Sequence, residues 1–440
     1  MMRKLFVNFC VTLLFVFCVA ALEAKQCELQ VATANSVLHA GKKQTVCLKV
    51  GIKGFELKSE KERAPINVAL VIDRSGSMQG KKIEQAKEAA IQALQRLEPK
   101  DIASVIVFDS NVEVLVPATK ISDREILEQK IRSIHAGSST ALYGGTQKGI
   151  EEVRKFLEKG YVNRVILLSD GLANVGPSSP EDLAKLGKSC GGEGISVTTF
   201  GLGNGYNEDL MVKLAATSDG NHKFIESADE MADIFQKEFN TALSVVAQEV
   251  SCVVTIPEGI RPVRALNGDV DIKGQEVKFG WNQIYSRHER FVILEVEVPA
   301  EESGQTRELA KVSLRYTNME TKDVDQLSGR LEVKFSNSET QVKNSLNKSV
   351  MEDYVELLAN LENKRAMQLR DAGDIKGAQT VFTKNVDFLE QNSKVLDSVR
   401  LKRSASMNAN QSREVNSPAW PASRKKMIEY QNSYSNQQKY

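Results

Sequence analysis

Pro65 marks a change in how hydrophobic and polar positions follow one another. Before it, "CELQVATA" and "QTVCLKVGIKGF" alternate apolar with polar residues around a turn at "HAGKK". A period of two predicts half-buried strands. After it, "INVALVID" is almost continuously apolar, as in a strand covered on both faces. "KIEQAKEAAIQALQRL" then places Ile83, Ala86, Ala90, Ile91, Leu94 and Leu97 along one side of a helix. The alternation continues. "IASVIVFD", "VEVLVPA", "RVILLSDG", "ISVTTFGLG" and "HKFIE" read as strands. "REILEQKIRSI", "LYGGTQKGIEEVRKFLEK", "SPEDLAKLGKSC", "NEDLMVKLAATSDG" and "ADEMADIFQKEFNTALS" read as helices. Strand and helix in turn over residues 65–245 predict an α/β domain with a doubly wound, mostly parallel sheet.

After Ser244 the period returns to two. "QEVSCVVTIPEG", "EVKFGW", "RFVILEVEVPA", "LAKVSLRYT" and "LSGRLEVKF" predict an all-β sandwich over 246–336. The strands of 25–64 need partners as well, so the simplest arrangement is one sandwich built from both flanks, with the α/β domain inserted in it. Residues 341–401 read as a helical hairpin turning at "DAGD". Residues 402–440 are rich in Ser, Asn and Gln with few aliphatic positions, which predicts a disordered tail.

Composition changes little. The chain has 440 residues, 41% hydrophobic and 26% charged, with a formal net charge of +1. That balance gives no reason to expect nucleic acid or an acidic membrane as partner. The N-terminus does add something. Arg3 and Lys4 precede an apolar run from Leu5 to Leu22, with small residues at Ala21 and Ala24. This is the pattern of a secretory signal over 1–24 and predicts export to the periplasm or the medium, an uncleaved anchor being the other reading of the long apolar run. Export permits disulfides among Cys27, Cys47, Cys190 and Cys252. A bridge drawn from Cys27, Cys47 and Cys252 is favoured, because those three lie outside the central domain.

The candidate chemistry sits where "INVALVID" ends. Asp73, Ser75 and Ser77 follow one another at every second residue between a strand and a helix. One such oxygen is an ordinary helix cap, but a cap does not need three. An aspartyl-phosphate enzyme would want a second acid two residues after Asp73, and Ser75 stands there. A hard divalent ion needs about six oxygens, so other loops must contribute. Thr140, in "AGSSTALYGG", precedes a helix, and Asp170, in "VILLSDG", ends a strand. Carboxyl ends of parallel strands meet at one crevice, which places Asp73 and Asp170 together with Thr140 in reach.

Asp73-x-Ser75-x-Ser77, then Thr140, then Asp170 before a glycine resembles the metal-ion-dependent adhesion site of von Willebrand factor type A domains, also carried by integrin I domains. "GLGNGYNEDLM" is similar to the stretch after the fifth strand in bacterial members, and the flanks resemble those of exported bacterial proteins of that family. Ser138 and Ser139 stand where the family often has two glycines. The resemblance implies that Ser75, Ser77 and Thr140 contact a metal through hydroxyls, with Asp73 and Asp170 acting through water or from behind them. Neutral ligands leave such an ion electrophilic, so it seeks a Glu or Asp carboxylate on a partner protein. The helix beginning near Gly80 turns its positive end to the site, which makes both carboxylates necessary. Compact oxygen coordination favours Mg2+, then Mn2+, with Ca2+ behind them.

Other signals carry no chemistry. In "GLGNGY" the third glycine position holds Tyr206, and a structural turn is expected. Asp109, at the end of a strand, is in place to line the crevice but reads first as a loop cap; Phe279 and Trp281 read as sandwich core, and "KSEKER" as a solvated hinge. His39, His135, His222 and His288 are scattered, and the chain has no HExxH. The expectation is an exported, non-enzymatic binding or adhesion protein. The alternative is an envelope scaffold in which the α/β domain is one interaction module.

Overall fold

Residues 25–57, 63–158, 160–421 and 424–428 are described in the computed structural model, and the expected signal (1–24) lies outside them. The chain begins with β1 (Cys27–Thr33), β2 (Val37–His39) and β3 (Gln44–Gly54). The central domain follows. It contains β4 (Ile66–Asp73), α1 (Lys81–Gln95), β5 (Ile102–Phe108), β6 (Val112–Lys120), α2 (Arg124–Arg132) and α3 (Leu142–Arg154). It continues with β7 (Val162–Ser169), α4 (Pro180–Gly192), β8 (Ile195–Leu202), α5 (Glu208–Thr217), β9 (His222–Ile225) and α6 (Met231–Leu243).

These strands form a six-stranded sheet in the order β6-β5-β4-β7-β8-β9, parallel except for the antiparallel edge strand β6. Every residue of β4 is buried, because each face of the sheet carries helices. Val68, Leu70 and Ile72 pack with α1 and α6 on one face, while Ala69 and Val71 pack with α3 on the other. Each buried aliphatic side chain contributes roughly 1.5–3 kcal/mol by leaving water. The first strand, β4, lies beside β7, and the crossovers on either side of that pair run over opposite faces. Their carboxyl ends therefore open a crevice at the switch point of the sheet.

The flanks build the sandwich as expected. The later strands are β10 (Val245–Thr255), β11 (Arg261–Ala265), β12 (Asp271–Lys273), β13 (Glu276–Tyr285), β14 (Glu289–Val298), β15 (Thr306–Asn318) and β16 (Val324–Ser336). One sheet runs β1-β3-β14-β11 and the other β12-β13-β10-β15-β16-β2. β3 of the N-terminal flank pairs antiparallel with β14 of the C-terminal flank along its length, so the α/β domain is an insertion between them. Phe279 and Trp281 belong to the sandwich core.

The expected disulfide is absent: Cys27, Cys47, Cys190 and Cys252 are free and buried. Geometry accounts for the pairs that would include Cys47. Cys27 pairs in register with Gly54, at the end of β3 remote from Cys47. Cys47 faces away from the sandwich core that holds Cys27 and Cys252, into the layer beneath the helices. The hinge reading of "KSEKER" also needs correction at its last residue. Arg63 is buried and forms a two-pronged ion pair with buried Asp101, at 3.0 and 2.6 Å; Lys58–Glu62 lie outside the described residues.

The helical region comprises α7 (Glu339–Asn344), α8 (Lys348–Asp371), α9 (Ile375–Leu396) and α10 (Val399–Glu414). α8 and α9 form the expected hairpin, and Val350 and Leu357 seat α8 on the outer face of the β3/β14 sheet beside Phe291 and Ile293. The expectation of disorder is overturned for the described residues 402–421 and 424–428: α10 is a third long helix, and helical turns recur up to Ile428. Its interface is polar, which is why composition concealed it. Ser404, Asn408, Gln411 and Ser412 are buried, and the Ser404 hydroxyl donates to the Glu356 carboxylate at 2.8 Å. Asn385 donates to Asn363 at 2.7 Å between α9 and α8. Residues 429–440 lie outside the described part. Among the described residues no helix is long and apolar enough to cross a membrane.

Candidate functional site

Asp73 is the last residue of β4, completely buried. Its carboxylate accepts the backbone N–H of Ser75 at 2.7 Å and the hydroxyl of Ser169, the last residue of β7. The turn that follows is thereby tied to the neighbouring strand. A single 3-10 turn, Gly76–Met78, carries Ser77 outward before α1 starts. Neither Ser75 nor any other side chain caps this turn or α1, whose N-cap is Gly80 at φ 77°. The three oxygens of "DRSGS" are thus not used as helix caps.

They are used on one another. The Ser75 and Ser77 hydroxyls stand 3.1 Å apart, and Ser77 Oγ donates to Asp170 Oδ1 at 2.6 Å. Asp170 directly follows β7, and its other oxygen, Oδ2, takes the Lys82 ammonium from the first turn of α1. Thr140 arrives from the loop before α3. A Cβ on Gly171 would meet Thr140 Oγ1 at 3.1 Å and Ser77 Oγ at 3.5 Å, so the two hydroxyls border the same small space. All five residues picked out in the sequence converge at the switch-point crevice. Ser75, Asp73, Asp170 and Thr140 are buried, and Ser77 opens to solvent.

Two features hold Thr140 in place. Gly145 and Gly149 let α3 approach the sheet, since a Cβ on either would come within 2.5 Å of Phe108 or Val71. The loop itself is stitched to "DRSGS" by backbone bonds, Gly76 N–H to Ser138 C=O at 2.8 Å and Gly137 N–H to Arg74 C=O at 2.5 Å. Asn174 accepts the Thr140 N–H through its side-chain oxygen at 2.8 Å. Ser138 contributes its carbonyl to that stitching, and its hydroxyl lies 2.7 Å from Ser110. The serines in place of glycines therefore leave Thr140 positioned.

Asp109 accepts the Asn111 N–H at 2.8 Å and pairs with Arg74 at 3.3 Å, as a loop cap should. Buried His222 lies between Thr199 Oγ1 and Tyr206 Oη, a structural role. Ser169, Lys82 and Asn174 were not picked out by the sequence. Ser169 was within reach of it, adjoining Asp170 at a strand end. Lys82 and Asn174 carry no local signal, because their contacts come from other elements.

The electrostatics are those of a site short of positive charge. Two buried carboxylates face one ammonium. Burial pushes the Asp73 carboxyl up to about 6, against the hydrogen bonds from Ser169 and Ser75, and the neighbouring Asp170 charge adds to the rise. Among the described residues no three His, Cys, Asp or Glu side chains converge on one point, so any ion held here must draw on hydroxyls. The donor set is all oxygen, which suits a hard divalent cation and not zinc or a softer metal.

Residues 67–237 match the von Willebrand factor type A domain family. An uncharacterized protein of Synechocystis sp. is 27% identical over 73% of this chain and 77% of its own length. An inter-alpha-trypsin inhibitor heavy chain of Mus musculus is 33% identical over 36% of this chain, which spans only 18% of that protein. Among solved structures, a von Willebrand factor type A protein from Catenulispora acidiphila superposes with a TM-score of 0.70 at 16% identity, covering 94% of this chain and 97% of its own. The sandwich and helices thus recur there along with the central sheet. Residues 67–237 thus match the von Willebrand factor type A domain family, and this stretch is set into a β-sandwich with the fold of that solved protein.

Proposed function

We propose that the chain is an exported, non-enzymatic binding protein that engages a protein ligand through a divalent ion, Mg2+ before Mn2+ or Ca2+. Ser75, Ser77 and Thr140 would hold the ion, with Asp73 and Asp170 supplying charge behind them. The carrying observation is the convergence of three hydroxyls and two buried carboxylates, balanced by a single ammonium, at the switch point of the sheet. A bound Mg2+ supplies an electrophilic position for an acidic side chain of the partner. The protein's own part is to fix the oxygens. Asp73 locks the turn through Ser75 N–H and Ser169, and Asp170 orients the Ser77 hydroxyl. No hydroxyl here contacts a histidine base, which supports binding over hydrolysis. The basic and then apolar N-terminus supports export.

The test is retention of partners from envelope and extracellular fractions on immobilised protein. Binding with Mg2+ that is lost both in EDTA and in Asp73→Ala supports the reading. Binding that survives both overturns it.

A further inference from the structure

Lys82 occupies an unfavourable place for a lysine. It lies in the first turn of α1, where the exposed N–H groups give the helix end a partial positive charge that favours acids. The first turn also contains Glu84, which pairs with Lys87 and not with Lys82. What Lys82 gains is Asp170: its Nζ contacts Oδ2 while Ser77 holds Oδ1. The two partners differ in freedom. The Asp170 side chain is wholly buried at the end of β7, whereas that of Lys82 is 38% exposed on a flexible four-carbon stem. The acid is fixed, and the ammonium reaches in from solvent.

Taking the crevice to be a divalent-ion site, as proposed above, we propose that Lys82 is the resident cation of the ion-free protein and that ion entry displaces it. A buried carboxylate left without a counter-charge is costly, and Lys82 removes that cost when no ion is present. Asp170 borders the same Ser77 hydroxyl that an ion would use. An ion there and an ammonium on Oδ2 would be two positive charges within a few ångströms in a poorly solvated crevice, and they repel. Lys82 is the partner able to leave. It therefore sets the affinity of the site by competition. It also disfavours monovalent ions, which would only replace a charge already present, while a divalent ion adds one.

Calorimetric titration of the full chain with Mg2+ tests this, comparing wild type, Lys82→Met, Lys82→Gln and Asp170→Ala. Both Lys82 variants are expected to bind Mg2+ about tenfold tighter or more. In EDTA they should melt below wild type, and saturating Mg2+ should close the gap. Unchanged or weaker affinity in both Lys82 variants, with wild-type binding present and abolished in Asp170→Ala, overturns the role of Lys82 and leaves the ion site standing. No Mg2+ binding in wild type or in either Lys82 variant overturns both.

Discussion

Ser77 and Asp170, 93 positions apart in the chain, meet through a 2.6 Å hydrogen bond from the serine hydroxyl to the carboxylate. This contact joins the turn after β4 to the end of β7, the two strands flanking the switch point. Gly171 sits directly beneath, and Thr140 Oγ1 closes the third side. In Gly171→Ala the added methyl would press on the Thr140 and Ser77 oxygens. Affinity for Mg2+ should fall about tenfold with little loss of fold stability, a split that titration calorimetry and urea unfolding would show together.

Helix α3 gives a prediction in which two effects oppose. Gly→Ala inside an exposed helix gains about 1 kcal/mol from propensity. At Gly149 the methyl would stand 2.5 Å from Val71 Cγ2, where the helix closely approaches the sheet. Overpacking costs about 1–3 kcal/mol and must be relieved by moving α3, with Thr140 ahead of it. Gly149→Ala is expected to destabilise by about 1 kcal/mol net in urea unfolding and to weaken Mg2+ binding.

Asp73 and His222 respond to acid in opposite directions. The Asp73 carboxyl is raised by burial to about 6 from 3.8. Between those values the ion-free folded protein takes up a proton that the unfolded chain does not, so this group favours folding as pH falls. The same proton removes charge needed by an ion. Mg2+ affinity should therefore drop about tenfold per unit below pH 6, measured by titration from pH 7.5 to 5.

His222 is lowered by burial to about 3 from 6.5. Below 6.5 the unfolded chain binds the proton and the folded one refuses it. Stability is lost on acidification at up to about 1.4 kcal/mol per unit until pH 3. Urea midpoints at pH 7.5 and 4.5 should converge in His222→Gln relative to wild type.

Polar contacts join the α/β domain to the sandwich beside the apolar packing of Tyr285 and Met319. Arg290 of β14 grips Asp219 with two bonds, 2.6 and 2.8 Å, and Arg164 of β7 reaches Gln283 at 2.5 Å. Arg290→Met leaves Asp219 without its counter-charge. A loss of about 3 kcal/mol is expected in chemical unfolding, with recovery in Arg290→Met/Asp219→Asn.

The α/β domain could be read from the sequence because strands buried on both faces form unbroken apolar runs, "INVALVID" above all. The five site residues could be read because each lies at a strand end or helix start, where topology alone brings them together. Lys82 and Asn174 could not, since a lysine at a helix start and an asparagine in a loop look the same whether or not a carboxylate or an N–H awaits them. The tail misled for a related reason: a low aliphatic count predicts disorder only if the interface is apolar. α10 instead docks Ser404 on Glu356 and packs Leu401 and Ala405 against Leu389 and Val355. A chain ending at Leu396 should lose on the order of 3 kcal/mol or more and show faster hydrogen exchange in α8, whereas a disordered tail could be removed without effect.

The ion itself offers the most direct measurement. Crystals grown or soaked with Mn2+ and recorded at the manganese absorption edge locate it without assumption. One anomalous peak is expected, bounded by the Ser75, Ser77 and Thr140 hydroxyls and absent in Asp73→Ala. No peak in that crevice, or one that persists in the variant, would contradict the proposed ion site.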